Sequence, residues 1–219
     1  SLKGHHVRLL KTSNTMHQEN FETIVKQGGI FISHGSEEEF APLEVITRDY
    51  ELAMSGSEII YVVTQTVAHD TLAPKLAPYF KSGMIVLISP GYGGSLIFSK
   101  HTTVSDVIFS EAQSLPLDCR IYEPGKVNIL YENVRNPLGF FPSEKTDYAL
   151  IVLKDLFLNF VKLDNIIEAA LHNPNLIVHT VGAVMNVARI EYSNGEFWMY
   201  REGLDRKSTR LNSSHGKLS

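Results

Sequence analysis

One cysteine, Cys119, stands among 219 residues, so an internal disulfide is excluded and the usage suits a reducing cytoplasm. The lone thiol reads as structural rather than nucleophilic. Positive charge is not in excess either. A net charge of -4 and a pI near 6.1 argue against a nucleic-acid binder, which needs a clustered basic surface to neutralise phosphates. Long apolar runs are absent as well: Met84-Ile85-Val86-Leu87-Ile88 is strand-length, far short of the roughly 20 residues of a membrane helix. No membrane span is expected. What remains, 43% hydrophobic and 20% charged, is the make-up of an ordinary globular protein able to bury a core.

The two ends lack what a natural protein has. Ser1-Leu2-Lys3-Gly4-His5-His6-Val7 reads as a last helical turn, a glycine stop and the start of a strand, with no initiating methionine or signal peptide before it. At the other end, residues 205–215 back-translate to a common short-read sequencing adapter. The other reading is a natural basic, serine-rich tail. We therefore expect a fragment cut at both ends, with residues 205–219 packing on neither domain.

Between the ends, the periodicity predicts a strand over residues 5–11 and an amphipathic helix over 16–26 that Gly28-Gly29 stops. A hairpin of 29–33 with 43–47 is expected around the acidic turn Ser36-Glu37-Glu38-Glu39, followed by a short helix at 49–54. Residues 58–64 form a nearly continuous β-branched run, as in strands buried on both faces of a parallel sheet. A helix over 68–80, a strand over 84–88, the turn Ser89-Pro90-Gly91-Tyr92-Gly93-Gly94 and strands near Val107, Arg120 and Asn128 follow. This alternation predicts βαβ units and an α/β fold, a Rossmann-like doubly wound parallel sheet with its first strand missing. From Thr146 the pattern turns helical, over 148–160, 165–171 and 175–189. Asn173 caps the last of these and Pro174 takes its first position. The expected domains are 1–141, a partial dinucleotide-binding domain, and 142–204, the start of a helical substrate domain, with the boundary near Pro142.

In doubly wound sheets the ligand lies beyond the carboxyl ends of the strands. Three strand ends qualify: Lys11-Thr12-Ser13, Thr64-Gln65-Thr66 and Pro90-Gly91 with the glycines after it. A lysine with two hydroxyl side chains suits the extra phosphate of NADP, where a carboxylate would select NAD. The same residues also suit a solvated loop. The G-x-G-x-x-G fingerprint is absent, and its expected place precedes Ser1.

Taken in order, the segments resemble the opine dehydrogenase family, the octopine and nopaline dehydrogenase-like enzymes. The residues that carry the resemblance are Lys3-Gly4-His5-His6-Val7, Glu111-Ala112-Gln113-Ser114-Leu115-Pro116-Leu117-Asp118-Cys119-Arg120, the stretch from Asn173 to Glu191 and Tyr200-Arg201-Glu202-Gly203. The resemblance implies reduction, by NADH or NADPH, of an imine formed from an amino acid and a 2-oxo acid. It makes His179 the acid-base residue, paired with an aspartate outside this chain, and Ser114, Cys119 and Asn186 candidate substrate contacts. Thr180 stands where many members have proline. No metal is implied: His172 lacks a second ligand at helical spacing.

The histidine also makes physical sense, because an imidazole exchanges protons near neutrality and shares a helix face with Ala183 and Asn186. It should face the cofactor. From the residues alone, a core histidine on an apolar helix is the readier reading. Two other functions remain open. A ketopantoate reductase or glycerol-3-phosphate dehydrogenase relative would use a helical-domain lysine, but Lys154 and Lys162 precede the cleft helix. A noncatalytic NAD(P)-sensing module would have lost the acid-base residue.

Overall fold

The computed structural model describes residues 1–194, 196, 197 and 199, so the tail 205–219 and the segment at Tyr200 to Gly203 lie outside the described residues. The chain divides into two compact units, Ser1–His172 and Asn173–Ser219.

The first unit opens with β1 (Arg8–Leu10) and α1 (Gln18–Gln27), which Gly28 ends by donating its N–H to the Ile24 carbonyl. Then come β2 (Gly29–His34), β3 (Glu37–Pro42), β4 (Val45–Thr47) and α2 (Tyr50–Met54), the last capped by Asp49, which accepts from the Leu52 N–H. The nucleotide-fold alternation follows as β5 (Ile59–Val62), α3 (His69–Leu76), β6 (Ile85–Ile88), α4 (Gly94–His101) and β7 (Ile108–Ala112). The unit closes with β8 (Leu117–Glu123), β9 (Lys126–Glu132), β10 (Asn136–Phe141), α5 (Thr146–Leu156), β11 (Phe160–Lys162) and α6 (Ile166–Leu171).

A five-stranded sheet runs in the order β11-β10-β7-β6-β5, beside a four-stranded sheet β3-β2-β9-β8 and a two-stranded pair β1-β4. In the large sheet β5, β6 and β7 are parallel, as helical crossovers allow. Alternate residues of β6 serve opposite faces: Val86 and Ile88 join Leu72, Leu76, Phe98 and Phe109 under α3 and α4, whereas Ile85 and Leu87 join Leu138, Phe140, Leu153 and Phe160 under α5. Helices on both faces make the sheet doubly wound, and each side chain so buried contributes about 1.5–3 kcal/mol. The α/β, Rossmann-like class expected from the alternation is thus borne out.

Several details differ from expectation. The sheet is not parallel throughout, because β10 runs antiparallel to β7. The β8–β9 hairpin returns the chain to the end at which β7 stops, where the Asn133 N–H meets the Pro116 carbonyl and the Gln113 N–H meets the Pro137 carbonyl. The next strand must then run backwards. Pro137 and Gly139 had hidden that strand, as such residues do. The acidic run is strand rather than turn: β3 pairs with β2 from Gly29↔Pro42 to His34↔Glu37, and Gly35, at φ 65°, makes the two-residue turn. Residues 45–47 pair instead with β1, in parallel. α4 was not anticipated after its glycine-rich turn. The first unit also runs past Pro142 to His172, because β11 pairs with β10 and α5 covers the sheet.

The second unit holds α7 (Pro174–Met185), capped by Asn173, and α8 (Val187–Tyr192). One helix over 175–189 was expected. It breaks at Asn186, whose side-chain amide donates to the Gly182 carbonyl at 2.9 Å and competes with the helical ladder. No described helix is long and apolar enough to cross a membrane.

Candidate active site

The register Val62↔Ile88 and Ile88↔Glu111 brings the ends of β5, β6 and β7 to one edge. Thr64, Pro90 and Gly91 sit just beyond it. The Ser89 N–H donates to the Val62 carbonyl at 3.0 Å and the Gly91 N–H to the Ala112 carbonyl at 2.7 Å, so three strands are laced together there. The Ser114 carbonyl accepts from both the Ser89 hydroxyl (2.7 Å) and the Asn136 amide (2.8 Å). Thr64, Pro90, Gly91 and Ser114 are therefore brought together, and the exposed Gln65 follows Thr64 in the chain.

Sequence reasoning missed the residues that hold this edge. His69, fully buried, lies 3.2 Å from the Thr64 carbonyl through Nε2, stands edge-on to Phe98 and abuts Gly94. Glu111, also fully buried, accepts from Gly93 and Ser95 at the start of α4. A charge inside Ile108-Phe109-Ser110-Glu111-Ala112 was the available signal, since a carboxylate is buried only when its oxygens are satisfied. Thr64 Oγ1 and His69 Nδ1 are buried with no hydrogen-bond partner among the described residues. Tyr61, on β5, has its phenol pushed up to about 12 by burial, against the opposing pull of the Ser89 hydroxyl.

Lys11, Thr12 and Ser13 form a separate cluster at the end of β1. The Lys11 backbone N–H donates to the Thr47 carbonyl, and its ammonium bonds the Met16 carbonyl. Arg48, following β4, donates to the Ser13 carbonyl (2.9 Å) and to Asn14 and Gln18, and stacks over Phe21. Burial and the neighbouring Arg48 both lower the Lys11 pKa. Two cations at adjacent parallel strand ends, with only neutral acceptors among the described residues, are a place that suits an anion.

Cys119 lies half-buried on β8. Burial, then Asp118, pushes its thiol up, against the opposing pull of Arg120. His179 lies on α7 in the second unit and is solvent-exposed there, while Asn186 is buried at the α7–α8 break. His172 faces Glu168 at 3.9 Å, four residues earlier, so contrary to the sequence reading it does have a carboxylate at helical spacing. Among the described residues no cluster could hold a metal ion.

In doubly wound sheets nucleotides bind beyond the carboxyl ends of the parallel strands, the edge at which Thr64, Pro90 and Gly91 lie. Residues 162–214 match the family described as NAD/NADP octopine/nopaline dehydrogenase, alpha-helical domain, a span that contains His179 and runs on past Leu204. An opine dehydrogenase from Arthrobacter sp. (strain 1C) is 28% identical over 167 residues, 74% of this chain and 46% of that protein. A solved octopine dehydrogenase with NADH and L-arginine superposes with a TM-score of 0.71 at 18% identity, over 95% of this chain and 55% of that one. A ketopantoate reductase from Ralstonia eutropha JMP134 is more distant, with a TM-score of 0.57 at 14% identity over 75% of this chain and 50% of that one. The chain is similar to these opine dehydrogenases in sequence and fold, and it spans about half the length of the relatives it matches.

Proposed function

We propose that the protein is an NAD(P)-dependent opine dehydrogenase that reduces the imine formed from an amino acid and a 2-oxo acid. The observation that supports this best is the alignment with the Arthrobacter opine dehydrogenase over 74% of the chain. The bound nicotinamide supplies a hydride to the imine carbon. Thr64, Gln65, Pro90 and Gly91 line its site, and Ser114 and Cys119 are the candidate substrate contacts on the same unit. His179 gives the proton to the imine nitrogen, held in register by a carboxylate from beyond this chain. Solved octopine dehydrogenases bind NADH, L-arginine and pyruvate, which supports this choice of reactants. A cytoplasmic location follows the single cysteine and a soluble enzyme's chemistry.

In the full-length enzyme, His179→Ala lowers turnover about a hundredfold while leaving cofactor binding nearly unchanged, the scale of lost acid-base help. Undiminished turnover would assign the chemistry elsewhere.

We further infer a preference for NADPH, because Lys11 and Arg48 leave a paired positive charge beside Thr12 and Ser13. Lys11→Glu should weaken NADPH by about tenfold more than NADH, the value of one charge-assisted contact. Equal weakening of both in binding titrations would remove the preference.

A further inference from the structure

The β6–α4 turn, Ser89 to Gly94, owes its shape to one side chain on the neighbouring strand. Glu111 is fully buried, yet among the described residues it has no cationic partner. Donors alone satisfy it. Oε2 accepts the Gly93 N–H at 2.9 Å, and Oε1 accepts both the N–H and the hydroxyl of Ser95, at 2.8 and 2.5 Å. These are groups at the amino end of α4, the place where nucleotide-binding folds draw in a phosphate. Here the chain's own carboxylate fills it. Gly91 is pressed against the same side chain: a Cβ there would lie 2.4 Å from Glu111 Cβ and 2.6 Å from Oε2. On the far side, the Gly91 N–H is held by the Ala112 carbonyl and the Ser89 hydroxyl by that of Ser114. The turn is thus clamped at both ends to β7 and the loop beyond it.

We propose that Glu111 is a positioning residue: its buried carboxylate fixes Pro90-Gly91 as one wall of the cofactor site and closes the α4 amino terminus to phosphate. This rests on the functional reading above, in which that edge takes a nicotinamide cofactor. Charge-assisted hydrogen bonds away from water are strong, and they hold a site to the small tolerance that binding demands. A glutamine keeps the shape but turns an NH2 donor toward N–H groups, so one of them loses its acceptor.

The test uses the full-length enzyme, with NADH and NADPH affinity read by fluorescence titration beside steady-state kcat and KM. Glu111→Gln should weaken the cofactor about tenfold and raise its KM more than it lowers kcat, the scale of one lost charge-assisted bond. Ser95→Ala, which deletes only the hydroxyl contact and leaves both backbone N–H bonds to the carboxylate, should weaken it by a smaller factor, about threefold. Leu153→Val, on α5 under the opposite face of the sheet, should lower the melting temperature and leave cofactor affinity alone. Affinity within twofold of wild type in Glu111→Gln overturns the proposal. If that variant fails to fold, unchanged affinity in Ser95→Ala overturns it. So does equal weakening by Leu153→Val, which would make the effect general destabilisation. A wild-type enzyme that binds neither cofactor overturns the functional reading and this proposal with it, whereas a cofactor-binding wild type with an indifferent Glu111 removes the proposal alone.

Discussion

β6 and α7 are both apolar segments, and they meet opposite fates. All four residues of β6 are at most 2% exposed, because each face of that strand meets helices from the same unit. On α7 the large apolar residues Leu176, Ile177, Val181, Val184 and Met185 are 49% to 76% exposed, and only Gly182 is buried. Composition alone makes an element apolar. Burial requires a partner surface, which the described residues give to β6 and not to α7.

The comparison predicts unequal costs of mutation in this chain. Phe140, fully buried on β10 among Leu138, Leu153 and Phe160, should cost about 3–5 kcal/mol when changed to Ala. Urea denaturation checks this, and a loss below about 1 kcal/mol would mean that the sheet core is not packed as described.

A smaller effect concerns Tyr61 at alkaline pH. Its folded-state pKa of about 12 lies above the ordinary 10, so burial favours the neutral phenol. The unfolded chain loses that proton first. Tyr61 therefore contributes fully below pH 10, and its contribution drains away between pH 10 and 12, on the order of 2 kcal/mol. The Tyr61→Phe protein should lack this part of the slope. Equal slopes in both proteins, by denaturation at stepped pH, would show a phenol open to water.

The smallest effect is expected on α7. Met185 is 76% exposed, so Met185→Ser should change stability by less than about 0.5 kcal/mol. A loss above about 1 kcal/mol would show that this face is covered in solution and would erase the contrast with β6.

Read from the residues, the parallel half of the fold was legible because its signals are local. β-branched runs at 59–62 and 85–88 mark strands, Gly28 stops α1, and Asp49 and Asn173 cap their helices. The strand ends bearing Thr64 and Pro90 followed from that alternation, and the resemblance to opine dehydrogenases from motifs spread along the chain. What pairs with what was not local. The direction of β10, the return of 45–47 to β1 and the placing of β11 in the sheet depend on contacts far apart in sequence. The same is true of Glu111, His69 and Arg48: a charged or imidazole side chain announces no role until folding shows which N–H groups, carbonyls or cations it faces. Local propensity and periodicity determine which segments become helix or strand. Only the tertiary structure decides which polar side chains lose water and must find partners, because desolvation is set by the whole packed surroundings and not by neighbours in sequence.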